Sequence, residues 1–169
     1  MPMATDIVPE YVGKRFLILG CGNVLFGDDS FAPAIVEHIL ENHKIPSDTY
    51  VMDVGTGASE VLLSVALSEN PPEKIIILDA VDLKKKTGEI LQIKIDDLPK
   101  SGTREFSPHL FPPVDLLKEL QDAFDVDITI VACQIEKIPE FVNPGLSKSV
   151  KESIPEAAKV ALKLAKFKS

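Results

Sequence analysis

Lys74–Asp79 (KIIILD) carries four large aliphatic side chains in succession. Successive side chains of a strand point to opposite faces, so such a run has no face to give to water and needs a covering layer on each side. That is the signature of a central strand in a parallel sheet sandwiched by helices. Asp127–Cys133 (DITIVAC) reads the same way, and Lys14–Gly20 (KRFLILG) and Thr49–Val54 (TYVMDV) are two further short strands. Between them Ala32, Ile35, Val36, Ile39 and Leu40 recur at helical spacing, as do Val61, Leu62, Val65 and Ala66 behind Thr56 as N-cap. Val114–Phe124 reads as a helix just after Pro112-Pro113. A last helix is expected from about Ser147 to Phe167, bent or restarted at Pro155, which lacks an N–H and crowds the preceding turn. Thr87–Ile95 (TGEILQIKI) alternates instead and fits a half-covered edge strand. The predicted class is α/β: a three-layer sandwich on a mostly parallel twisted sheet of about five strands, one edge strand antiparallel, helices on both faces.

A chain of 169 residues is the size of one ordinary domain, so residues 1–169 are expected to form a single unit. Hydrophobic residues at 45% and charged residues at 26% match a globular chain rather than a disordered one. Acidic residues outnumber basic ones by 26 to 18, a formal charge of -8, which argues against nucleic acid and anionic membrane surfaces as partners. The start, MPMATDIVPEYVG, has no basic region followed by an apolar stretch, so a cytoplasmic location is expected. Cys21 and Cys133, far apart in sequence, indicate neither a disulfide framework nor a thiolate zinc site.

In open α/β sheets ligands bind beyond the carboxyl ends of the strands, so chemistry is sought in the residues just after each strand. After the first comes Gly20-Cys21-Gly22-Asn23-Val24-Leu25-Phe26-Gly27-Asp28-Asp29. A dinucleotide fingerprint would need a third glycine where Leu25 stands, and a helix N-terminus free to receive an anion where Asp28 and Asp29 stand. The acid pair suits a cation instead, although N-capping alone would explain one of the two. Asp79 closes the central apolar run and is expected to project into the same crevice, with an N-cap or turn role as its plainer reading. Asp53 ends the second strand before Val54-Gly55-Thr56-Gly57, where bracing a turn explains it equally well. His38 and His43 are five apart on one helix and point different ways. His109, in Phe106-Ser107-Pro108-His109-Leu110-Phe111-Pro112-Pro113, is held between prolines that limit backbone freedom. Asp29, Asp79 and His109 together would offer two oxygens and one imidazole, a set better suited to nickel or zinc than to magnesium.

With these residues in view, the chain resembles the hydrogenase maturation endopeptidases, which remove a C-terminal peptide from the large-subunit precursor of nickel-iron hydrogenases after nickel insertion. The matching segments are the opening G-x-G-N-x-L-x-x-D-[DE] (Gly20 to Asp29), D-x-G-T (Asp53 to Thr56), the strand ending in D-A (Asp79-Ala80) and S-P-H (Ser107 to His109). The resemblance implies that Asp29, Asp79 and His109 contact nickel, that the metal belongs to the precursor, with zinc or cadmium as surrogates, and that these three residues are the catalytic set. It also implies an archaeal branch serving deazaflavin-reducing hydrogenases. Many relatives have Glu at the position of Asp29, so the acid here is one methylene shorter. Two rival readings stand beside it. Cys21 could be a nucleophile with His109 as base, against which the flanking acids would raise its thiol pKa. Alternatively, a receiver-like domain would bind magnesium and take a phosphoryl group on Asp79, which requires a lysine at the last strand where only Lys137 is near.

Overall fold

The structure, a computed structural model, describes residues 8–98 and 114–166. Five strands form one sheet: β1 (Phe16–Cys21), β2 (Thr49–Gly55), β3 (Lys74–Val81), β4 (Ile90–Lys94) and β5 (Asp127–Gln134), in the order β2-β1-β3-β5-β4. All neighbours run parallel except β4, which lies antiparallel on β5 at the edge. Four α-helices, α1 (Phe31–Asn42), α2 (Ala58–Ala66), α3 (Val114–Phe124) and α4 (Lys148–Leu164), complete the predicted sandwich.

The pleat of β1 and β3 sorts the core into two halves. Phe16, Ile18, Ile76, Leu78 and Ala80 face α1 and α4, whereas Leu17, Leu19, Cys21, Ile75, Ile77 and Val81 face α2 and α3. The chain leaves β1 to build β2 on one side and then returns to build β3 on the other. The topological switch point therefore lies between the carboxyl ends of β1 and β3.

Several boundaries differ from the sequence expectation, each for a local reason. β3 does not stop at Asp79: pairing with β5 continues through Ala80↔Cys133 and Val81↔Gln134, placing Asp79 inside the strand, beside Ala132. Thr56 does not cap α2; Gly57 occupies that position with no side-chain cap. Leu40 leaves the buried stripe of α1 and is 51% exposed. The strand in the 87–95 stretch starts only at Ile90, because Lys86 and Glu89 close a turn first. α4 runs through Pro155 without a restart. Proline removes a single donor, and the buried face of Val150, Ala157, Ala158, Ala161 and Leu162 holds the helix on both sides of it.

Two glycines determine how α1 and the preceding loop seat on the sheet. A Cβ on Gly20 would lie 2.8 Å from Val36 Cγ2 and 3.1 Å from the Ala32 carbonyl oxygen, so its absence lets α1 pack directly on β1. A Cβ on Gly22 would collide with the carbonyl oxygen of Asp29. Backbone cannot yield as a flexible side chain does, so Gly22→Ala is expected to destabilise the protein by about 1–3 kcal/mol, measured as a lower urea midpoint at unchanged m-value.

Candidate functional site

The loop after β1 doubles back on itself. Asn23 Oδ1 accepts from the Leu25 N–H at 3.0 Å, and a 3₁₀ turn over Gly27–Ser30 comes next. Gly27 enters it with φ of 51°, a left-handed conformation that glycine adopts without strain. The turn returns Asp29 to the start of the loop, where the Asn23 N–H donates to its Oδ2 at 3.0 Å. Asp29 is 4% exposed. Its adjacent acid points elsewhere. Asp28 accepts from the Glu136 N–H at 2.9 Å, from the Ser147 N–H at 2.7 Å and from Ser147 Oγ at 3.0 Å. It ties the turn to the segment after β5 and to the start of α4. The two acids of the opening motif thus have different tasks, and neither caps a helix through its side chain.

Asp79 lies at the switch point on the α2/α3 side, two residues from Ile77 and from Val81 on the same face. It is fully buried. Oδ1 accepts from the Ala80 N–H at 2.8 Å, while Oδ2 has no hydrogen-bond partner among the described residues. Burial pushes the carboxyl pKa well up; the Ala80 bond opposes this, and the negative charge of Asp29 adds to it. The structure therefore brings Asp29 and Asp79 into electrostatic contact at one end of the sheet. His109 lies outside the described residues, five positions before α3 begins. Among the described residues no group of three His, Cys, Asp or Glu side chains is arranged to hold a metal.

The remaining candidates settle into structural places. Asp53 is exposed and its Oδ1 accepts from the Gly55 N–H at 2.8 Å, the turn brace expected of it. His38 is half-buried on α1, whereas His43 is exposed and follows the last residue of that helix in extended backbone, so the two do not share a helix. Cys21 is buried, and its thiol is pushed well up by burial first, then by Asp79, Asp53 and Asp29. Such a thiol is a poor nucleophile. Burial likewise raises Cys133 to about 11.

Two further residues organise the site: Asn23, the asparagine of the opening motif, and Gln134, which belongs to no motif. Asn23 holds both its own loop and Asp29. Gln134, buried at the end of β5, accepts from the N–H groups of Leu83 and Lys85 at 2.8 and 3.2 Å and donates to Asp82 and to the Ile135 carbonyl. It fixes the loop leaving β3. A polar residue ending the apolar run DITIVAC was the available signal.

Comparison with known proteins decides what this arrangement belongs to. Residues 33–164 match the family profile HycI, hydrogenase maturation protease. The chain belongs to this family. It is 33% identical over 151 residues to a protein of Methanocaldococcus jannaschii named as a candidate hydrogenase maturation protease, covering 88% of this chain and 95% of the other. It is 29% identical over 152 residues to the coenzyme F420 hydrogenase subunit delta of Methanothermobacter thermautotrophicus, covering 88% and 92%. Among solved structures, the hydrogenase maturating endopeptidase HybD from E. coli superposes with a TM-score of 0.74 at 25% identity, covering 90% of this chain and 92% of that one. Membership in a peptidase family displaces the receiver-like reading; consistently, Lys137 is exposed and lies beyond the end of β5.

Two stability outcomes are expected of this maturation protease. Asp28→Ala leaves the N–H groups of Glu136 and Ser147 without their acceptor, and a loss of about 3 kcal/mol is expected in chemical denaturation. For Asp79 the folded pKa lies above the unfolded one, so the folded state is penalised as pH rises through the ordinary carboxylate range. Below that range both states are protonated and the penalty vanishes. Asp79→Asn should therefore match wild type in Tm near pH 3.5 and exceed it by a margin that widens as pH is raised, followed by circular dichroism.

Proposed function

We propose that this maturation protease cleaves the C-terminal extension from the large-subunit precursor of a nickel-iron hydrogenase after nickel insertion, and that it recognises the substrate-borne nickel through Asp29, Asp79 and His109. The observation that carries the reading is Asp79 Oδ2, a buried carboxyl oxygen with no partner among the described residues, at the switch point and beside a second acid. Burial and the neighbouring charge both disfavour ionised Asp79, and a divalent cation held between the acids reverses both effects at once. Oxygen ligands from two carboxylates, with an imidazole from His109, suit nickel, and zinc or cadmium would serve as surrogates. His109 enters on the family resemblance and on its place in sequence before α3.

In this reading the precursor's nickel registers the scissile bond over the crevice. With the two acids at the nickel, one of the pair also serves as proton acceptor for the attacking water. Bound at its Oδ2 by the Asn23 N–H, Asp29 sits on a loop held in place rather than a mobile one. Asp28 contributes by holding that loop to α4. No helix among the described residues is long and apolar enough to cross a membrane, and action in the cytoplasm is part of the proposal. Similarity to the delta subunit from M. thermautotrophicus supports a deazaflavin-reducing hydrogenase as the precursor's class.

Purified protein incubated with nickel-loaded and nickel-free precursor should cleave only the former, by mass spectrometry; equal cleavage of both rules out nickel gating. Asp29→Asn and Asp79→Asn should each lower cleavage by at least about 100-fold, the scale of a lost acid–base group. Cys21→Ser should cleave normally, and inactivity of a folded Cys21→Ser protein would reinstate the thiol route.

A further inference from the structure

A groove of about 560 Å³ lies between α1 and the glycine loop, lined among others by Val24, Pro33, Glu37, Leu40, Glu41 and Asp53. It adjoins the acid site through its own lining: Ser30 is next to Asp29 in the chain, and Val24 is next to the Asn23 whose N–H holds Asp29. Its apolar lining has exposed apolar neighbours on an adjoining loop. The Asn143 N–H donates to the Leu25 carbonyl at 2.9 Å and the Gly27 N–H to the Asn143 carbonyl at 2.9 Å, joining the glycine loop to the segment that carries Phe141 and Val142. Nine large apolar side chains are exposed among the described residues, and five of them, Val24, Leu25, Leu40, Phe141 and Val142, belong to the groove or to this adjoining pair of loops. Single exposed apolar residues are ordinary, whereas a cluster bordering an acid site indicates a surface that is covered when the protein works.

The charge of the groove specifies what covers it. Glu37 and Glu41 are four apart on α1, a like-charge pair that weakens a helix unless a cation sits against it. With Asp53 they give three carboxylates, and no basic side chain among the described residues lines the groove. A second copy of this chain, at a formal charge of -8, is a poor occupant. Lysine and arginine lay an aliphatic stem along apolar surface and keep the cationic head at carboxylates, which matches a groove lined by Val24, Pro33 and Leu40 together with three acids. We infer that this groove docks a polypeptide segment of the precursor in which a lysine or arginine is flanked by apolar side chains. The inference rests on the peptidase reading for the identity of the partner, and its test reads binding instead of cleavage.

The probe is a fluorescein-labelled ten-residue peptide with two arginines set among valines and serines, compared by fluorescence anisotropy with the same peptide carrying the neutral isostere citrulline. Wild type should bind the arginine peptide at least about fivefold more tightly, the scale of one or two exposed ion pairs. Glu37→Gln/Glu41→Gln should abolish the difference, while Glu152→Gln/Glu156→Gln, an equal charge change on α4, should keep it. Equal affinity of wild type for the two peptides, or a difference that survives the groove variant, overturns the inference. So does a dimer of the protein alone in sedimentation that Leu40→Ser dissolves, since that gives the face to self-association. Failure to cleave any precursor would sink the peptidase reading and leave the binding result standing.

Discussion

A carboxyl group inside the central strand of a sheet is an expensive thing to keep. Asp79 is sealed by the flanking strands and by the apolar layer under α2 and α3, and among the described residues only one of its oxygens finds a donor. Leucine or valine at this position would extend the apolar run that Lys74–Leu78 begins. The rest of the architecture converges on making that acid usable. The switch in strand order sets it beside the carboxyl end of β1, the glycine loop brings Asp29 near it, and the Asp28 brace holds the loop still. The polar centre is tolerated because the surrounding packing is deep on both faces of the sheet.

Much of that packing was legible in the sequence, since unbroken aliphatic runs and helical stripes report burial directly. KIIILD and DITIVAC announced doubly covered strands, and the alternation in TGEILQIKI announced the antiparallel edge. What failed to show were ends. Whether β3 stops at Asp79 or two residues later depends on β5 pairing through Gln134, a contact more than fifty residues away. Local chemistry also misled at Pro155, where one lost donor is outweighed by the buried face of α4. Thr56 has the right chemistry for a cap but sits one residue too early.

The site was legible in composition and less so in division of labour. Paired acids after a glycine loop pointed to a cation and the family resemblance singled out Asp29, but the task of Asp28 shows only in its partners. Asp29 turns inward to Asn23 across six residues, a local bond, while the partners of Asp28 lie at Glu136 and Ser147. Asn23 was visible as a motif residue and Gln134 was not, and the role of neither could be read because their work is done through backbone N–H groups and amide geometry, which no spacing rule encodes. The inertness of Cys21, by contrast, was foreshadowed by its acidic neighbours, and burial proves to be the larger cause.

The reach of the Asp28 brace bears on when the protein becomes competent. Its hydrogen bonds span 108 and 119 residues, linking a loop made early in synthesis to segments made much later. Long-range closures of this kind form late and slowly. While only β1, α1 and β2 have been made, the motif loop lacks both of these anchors. The loop of Asp28 and Asp29 acquires its anchor only when translation has delivered Glu136 and the start of α4.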